Sequence, residues 1–93
     1  MTPDECAPVL RAVAEPIRLR LLSLLREGPL HVAEITARLG VQQYQTSRHL
    51  AALLTLGLVA RERRGQRVYY ALAPGVGSEE PTLDLGCCRL SVE

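Results

Sequence analysis

Lysine, phenylalanine and tryptophan are absent from the 93 residues, and three tyrosines are the only large rings. A core without large rings has to be filled by Leu, Val, Ile and Ala, which suits packed helices. No apolar run approaches the ~18 residues that can span a bilayer. The acidic start, Met1-Thr-Pro-Asp-Glu-Cys6, lacks the basic and apolar regions of a signal peptide. The chain is therefore expected to have no membrane partner and to be cytoplasmic, with its three cysteines reduced rather than disulfide-bonded. There is no Cys-x-x-Cys pair, phosphate loop or paired carboxylate site, which argues against an enzyme. Internal repeats and low-complexity tracts are also missing. The length makes one small domain, near the lower end of what sustains its own core.

The net charge of +1 hides an asymmetry. Between Arg38 and Arg67 there are six Arg and one acidic residue, net +5, while the rest has five Arg and nine acids, net −4. A basic middle between acidic flanks implies a localised face for a polyanion.

That middle contains the most informative stretch, Val32 to Val59. Ile35 and Leu39 lie four apart on one face of a short helix, and Gly40 is placed to end it. A second helical pattern follows, with Leu50, Leu53, Leu54 and Leu58 as its inward stripe. Ahead of the stripe stand Gln42, Gln43, Tyr44, Gln45, Thr46, Ser47, Arg48 and His49. Such a helix, apolar behind and rich in amides and hydroxyls in front, suits the major groove. Gln pairs with adenine edges, Arg with guanine, and Ser with bases or phosphates. The plain alternative is an amphipathic helix whose polar face meets water. Leu58 to Leu72 then reads as two strands around a Gly-containing turn. Val59, Val68 and Tyr70 are set to face inward, and Arg63, Arg64 and Arg67 form a cationic tip suited to phosphate or a narrow minor groove. Helix, turn, helix and basic hairpin make a winged-helix plan, mainly α with a β-hairpin wing.

The segment ITARLGVQQYQTSRHLAALLTLGLVARERRGQRVYYAL resembles the DNA-binding core of the ArsR/SmtB family of small bacterial metalloregulatory repressors. AVAEPIRLRLLSLLREG upstream is similar to that family's first helices, so the likeness covers roughly residues 10 to 73. It implies a homodimer that binds double-stranded DNA at an inverted-repeat operator and represses transcription. The same resemblance marks departures. Many members carry Cys-x-Cys where this chain has His31 and Ala33, so that metal site is missing, and His31 reads as a surface or capping residue. A Ser followed by Pro two residues later commonly opens the reading helix; here the positions hold Gln42, a poor N-cap, and Tyr44, exposed for sugar-phosphate or a thymine methyl. The long last helix with its Asp and His zinc ligands is replaced by Gly75 to Pro81 and an alternating, strand-like tail.

Elsewhere, Thr2 to Glu5 offer a capping box with Pro3 at the first helical position, but Pro8 conflicts with a continuous helix from there, so a loose start and a regular helix from about Pro8 to Ala14 are expected, packed on the partner subunit. Pro16 opens a second helix running to about Arg26, apolar nearly all round and therefore in the core. Arg18 is expected in a surface salt bridge or near the DNA backbone, and His49 either inside the fold or on DNA.

Residues 1–74 are thus expected to form the winged-helix domain, and 75–93 a linker and strand carrying a cysteine pair. Leu83 and Leu85 would share a face with Cys88, Leu90 and Val92 if a bulge at Gly86-Cys87 corrected the register. That row would form a dimer-stabilising strand against the other subunit. Cys87 and Cys88, joined by Cys6, are the candidate metal ligands. Three soft thiolates suit As(III) or Sb(III) as inducer, with no cofactor required. Two other readings stay open: a thiol redox-sensing repressor, and a winged-helix protein-interaction module that binds no DNA.

Overall fold

The computed structural model describes residues 1–77 and 81–92. Helix α1 (Pro3–Val13) is followed by α2 (Pro16–Leu24), which tightens into a 3-10 turn at Leu25–Glu27. Strand β1 (Leu30–His31) leads into α3 (Val32–Leu39) and α4 (Gln43–Thr55), then the wing strands β2 (Val59–Arg64) and β3 (Arg67–Leu72). Strands β4 (Thr82–Asp84) and β5 (Arg89–Ser91) close the chain. Among the described residues, no helix is long and apolar enough to cross a membrane.

Helix α1 begins earlier than expected, at Pro3. Thr2 Oγ1 accepts the Glu5 N–H at 3.3 Å, and Glu5 Oε1 accepts from the Thr2 N–H at 3.3 Å and its hydroxyl at 3.0 Å. This reciprocal cap, with Pro3 at the first helical position, supports the start. Pro8 lies only one turn further on, so it forfeits a single bond near the frayed end, and the burial of Val13 holds the other end.

Helix α2 is the central element, as its apolar circumference predicts. Leu21 and Leu22, with Leu25 of the 3-10 turn, are buried against Val13, Ile35, Leu39, Leu50 and Leu53. Its start is capped by Glu15 Oε2, which accepts the Arg18 N–H at 2.9 Å. Between α3 and α4, Gly40 adopts φ 70°, a left-handed conformation that a residue with a Cβ takes only at a cost. Its N–H closes α3 on the Thr36 carbonyl at 2.9 Å. Arg20 Nη2 satisfies the carbonyl of Leu39, one of the orphans left at that end, at 3.1 Å.

The wing is an antiparallel hairpin in register from Val59↔Leu72 to Arg64↔Arg67, turning at Gly65-Gln66. Strand β1 adds a third strand on the far side of β3, pairing Leu30 with Tyr70 and His31 with Tyr69. Two residues are too few to show a period, so sequence pattern alone does not reveal this strand.

The tail differs from the expected single strand. Among the described residues it is β structure, but β4 and β5 pair with each other, Leu83 opposite Leu90. Gly86 takes φ 89° in the connection, so the chain reverses there instead of bulging. The Leu85 N–H donates to the Cys88 carbonyl at 2.9 Å, and the Gly86 N–H to Asp84 Oδ1 at 2.9 Å. Leu83, Leu85, Cys88, Leu90 and Val92 do come to one side, and they pack on the same chain's core. Arg26 holds this hairpin through bonds to the carbonyls of Pro81 (2.7 Å) and Val92 (3.3 Å). The linker expected over 75–81 includes residues 78–80, which lie outside the described residues; Val76 before them is buried and accepts the Asp84 N–H at 2.7 Å.

Because Leu83 is fully buried in this core, Leu83→Ala is expected to destabilise the protein by about 2–5 kcal/mol in urea unfolding. A loss below about 0.5 kcal/mol, the range of a surface change, would show that the tail does not belong to the core.

Candidate nucleic-acid interface and thiol cluster

Helix α4 has two unlike faces. Thr46, His49, Leu50 and Leu53 are buried, whereas Gln43, Tyr44, Ser47, Arg48, Ala51 and Thr55 are exposed. The outward residues recur at three and four, so they form one continuous stripe along the helix. Tyr44 is 69% exposed at its front, an unusual amount for a ring unless it meets a partner. Gln42 occupies the N-cap with extended backbone but contributes no capping bond of its own side chain. Gln45 does so instead: its Oε1 accepts the Gln42 N–H at 3.0 Å. Of the amides singled out in the sequence, Gln43 is therefore free to meet a base, and Gln45 is already committed to the helix start. Thr46 faces inward and accepts a 2.8 Å bond from Thr36 Oγ1, tying the two helices of the motif together.

In the wing, Arg63, Arg64 and Arg67 are all exposed. Arg63 Nε donates to the Gly65 carbonyl at 3.2 Å, which shapes the tip. Arg64 lies over the Tyr69 ring, 5.0 Å from its centroid, and contacts Glu62 at 3.3 Å. Arg67 Nη1 approaches His31 Nε2 to 3.3 Å. His31 is the N-cap residue of α3; its N–H donates to Glu34 Oε1 at 3.1 Å, and its ring packs edge-on against Tyr69. It joins the wing base to α3, in keeping with the capping role that a lone His there suggests.

Beneath the reading stripe lies a polar cluster that the sequence only hinted at. His49 is 4% exposed, and its Nδ1 accepts a 3.1 Å bond from Arg18 Nε. Arg18 Nη1 donates to the Ala12 carbonyl at 3.0 Å, so this side chain ties α1, α2 and α4 together. It is half-buried, and among the described residues it forms no salt bridge with a surface carboxylate. Glu15 Oε2 lies 3.7 Å from His49 Nδ1. Burial pushes the His49 pKa below the ordinary imidazole value; Glu15 opposes this, and Arg18 and Arg48 reinforce it. Burial pushes the Glu15 carboxyl up, but the N–H groups of Arg18 and Ile17 and the charges of His49 and Arg18 outweigh it, so its pKa is lowered.

The three cysteines converge, although not as three thiols. Cys6 of α1 and Cys87 of the tail turn form a disulfide, which overturns the expectation that all are reduced. Burial of the tail on its own core brings residue 87 to the first turn of α1, with Cα atoms 5.6 Å apart, within the span a disulfide bridges. Cys88 is free, with its Sγ 4.0 Å from that of Cys87. All three sulfurs lie within 4.8 Å of one another and are half-buried. This donor set fits a soft ion when reduced.

A helix-turn-helix whose second helix shows an amide, a hydroxyl, a phenol and a guanidinium, followed by an Arg-tipped wing, defines a winged helix-turn-helix protein. Residues 15–61 match the family described as bacterial regulatory protein, arsR family. The chain belongs to that family. It is similar to the HTH-type transcriptional regulator NmtR of Mycobacterium tuberculosis, 40% identical over 68 residues, which cover 73% of this chain and 57% of the relative. The arsenic resistance transcriptional regulator ArsR1 of Pseudomonas putida is 44% identical over 69 residues, 73% of this chain and 54% of that protein. The chain thus spans just over half the length of these curated relatives. Among solved structures, the homodimeric winged helix-turn-helix DNA-binding domain (fragment 1–100) of Mb0332 from Mycobacterium bovis superposes with a TM-score of 0.70 at 38% identity, covering 75% of this chain and 65% of that one.

The His49 cluster generates a pH dependence. Its folded pKa lies below the ordinary value of 6.5, so the unfolded chain binds a proton that the fold refuses. Stability is then full above 6.5 and falls as pH drops through that value toward the folded pKa, by at most about 1.4 kcal/mol per pH unit for one proton. Glu15 adds loss in the same direction only below its ordinary 4.5. Urea midpoints between pH 7.5 and 5.5 should show the His49 decline, and His49→Asn, which keeps an acceptor near Nδ1, should flatten it. An unchanged slope in that variant would assign the decline to other groups.

Proposed function

We propose that this chain is a transcriptional repressor of a bacterial operon, cytoplasmic and homodimeric, that binds double-stranded DNA and is released by a thiophilic ion. The observation that carries the DNA reading is the outward stripe of α4, Gln43, Tyr44, Ser47 and Arg48, beside a wing tipped by Arg63, Arg64 and Arg67. In this reading residues 1–74 supply the DNA-binding domain and 75–93 the thiol-bearing tail. Gln43 and Ser47 read base edges, Tyr44 packs on sugar or a thymine methyl, and the wing arginines neutralise phosphates. Gln42 and Gln45 serve by setting the helix start.

Homodimerisation is supported by the relative described as homodimeric and by Leu10, a large apolar residue 38% exposed on α1. With the tail folded on its own core, α1 is the element left to pair. A dyad then presents two reading helices to major grooves about one turn, ~10 bp, apart or a multiple of it. The inducer reading rests on the three converging sulfurs, with As(III) or Sb(III) the fitting ions. Cys6 lies on α1, whose Ala12 carbonyl is gripped by the same Arg18 that holds His49 of α4. A displacement of α1 on ion binding has a direct mechanical route to the reading helix.

Gln43→Ala is expected to cost about 1–3 kcal/mol on the preferred operator and less on random duplex. Arg64→Ala should weaken all sequences alike and reduce the salt slope by about one. Fluorescence anisotropy on both DNAs across a salt series measures this. Equal sequence dependence in the two variants would refute the division of roles, and no retention on DNA or heparin at low salt would favour a protein-interaction module.

A further inference from the structure

The Cys6–Cys87 disulfide and the soft-ion site use the same atoms. Resting on the inducer reading above, we infer that oxidation gates ion sensing: the disulfide form stays on DNA but no longer responds to the ion.

A metal or metalloid ion is bound by thiolate sulfur. Once Cys6 and Cys87 are joined, neither offers a thiolate, and Cys88 is left as a single ligand. One sulfur does not make the three-coordinate site that the cluster forms when reduced. The ion and the disulfide therefore exclude each other.

Neither partner of the disulfide depends on it for its place. The α1 start is held by the Thr2–Glu5 cap. The tail hairpin is held by buried Leu83 and Leu85 and by the two bonds from Arg26. The sulfurs should accordingly remain together after reduction, and the site switches between its two states without refolding. Nor does the disulfide disturb the DNA face: in this oxidised form Gln43, Tyr44, Ser47 and Arg48 are exposed, and the Thr36–Thr46 and Arg18–His49 bonds are made.

A hydroperoxide is the fitting oxidant class. One thiolate of the pair attacks a peroxide oxygen and breaks the O–O bond, becoming a sulfenic acid while the departing oxygen leaves as water or alcohol. The second thiolate attacks that sulfur and expels hydroxide, which leaves as water. Two thiols together lose two protons and two electrons, and the peroxide takes them up. An external dithiol reverses the step by exchange.

The test compares full-length protein in two states, one reduced with a phosphine and desalted, the other treated with hydrogen peroxide and shown by peptide mass mapping to carry Cys6–Cys87. Arsenite uptake is read by native mass spectrometry, and operator binding by anisotropy. The reduced protein should take up arsenite and leave DNA. The oxidised protein should hold DNA within about twofold of the reduced affinity, take up no arsenite and regain both responses after reduction. Cys88→Ser should still form the disulfide but lose arsenite uptake in the reduced state. Arsenite bound by protein with its disulfide intact, or DNA lost on oxidation alone, would overturn the gate. If both states respond alike to arsenite, the gate fails and the inducer reading survives; if the reduced protein takes up none, the inducer reading fails and the gate goes with it.

Discussion

The buried face of α4 is the constraint on which the rest of the molecule depends. Thr46, His49, Leu50 and Leu53 point into the body of the chain, and that alone orients Gln43, Tyr44, Ser47 and Arg48 outward. Two of the four buried groups are polar, and each has a defined partner: Thr36 for Thr46 and Arg18 for His49. Apolar packing permits a helix to roll by some degrees, because dispersion is not directional. A 2.8 Å hydroxyl bond and a guanidinium–imidazole bond do not permit it without leaving a buried group unsatisfied, at about 1–3 kcal/mol each. The outward stripe of α4 is aimed by hydrogen bonds on its hidden side.

The core behind α4 is small, its buried members include no large aromatic ring, and the tail supplies a real share of it. Leu83 is as fully buried as Leu21 and Leu22 of α2, and Val76 and Leu85 are buried in the same cluster. The tail's place in the core is also what brings Cys87 and Cys88 to Cys6. The thiol cluster is thus a consequence of core packing: the first turn of α1 and the turn of the last hairpin are brought together by the burial of residues several positions away. The Cys6–Cys87 bond at this junction ties the first helix to the last hairpin.

Arg18 has a comparable double role. It was legible only as one of the few polar positions on an apolar helix, and a surface salt bridge was the simplest expectation. The structure puts it between the Ala12 carbonyl and His49, the point where the helix carrying Cys6 meets the second helix of the helix-turn-helix. A buried imidazole that accepts from a guanidinium must be neutral, which makes this junction sensitive to protonation as well as to movement.

By itself the sequence determined the winged-helix plan, because that plan rests on local signals: the 3.6-residue stripe of α4, a glycine suited to φ 70° at the α3 end, and a two-residue turn between alternating strands. It also announced the basic wing and the exposed Tyr44, since charge and spacing are visible without coordinates. Other features needed the tertiary structure. The two-residue strand β1 exists only because β3 offers it an edge. The tail's apolar alternation was legible, but alternation gives a face and not a partner; Gly86 reversed the chain and gave that face to its own core. The meeting of Cys6 with Cys87 lies 81 residues apart in the chain, and no local pattern encodes such a contact, which is decided by how the helices and the last hairpin share one small core.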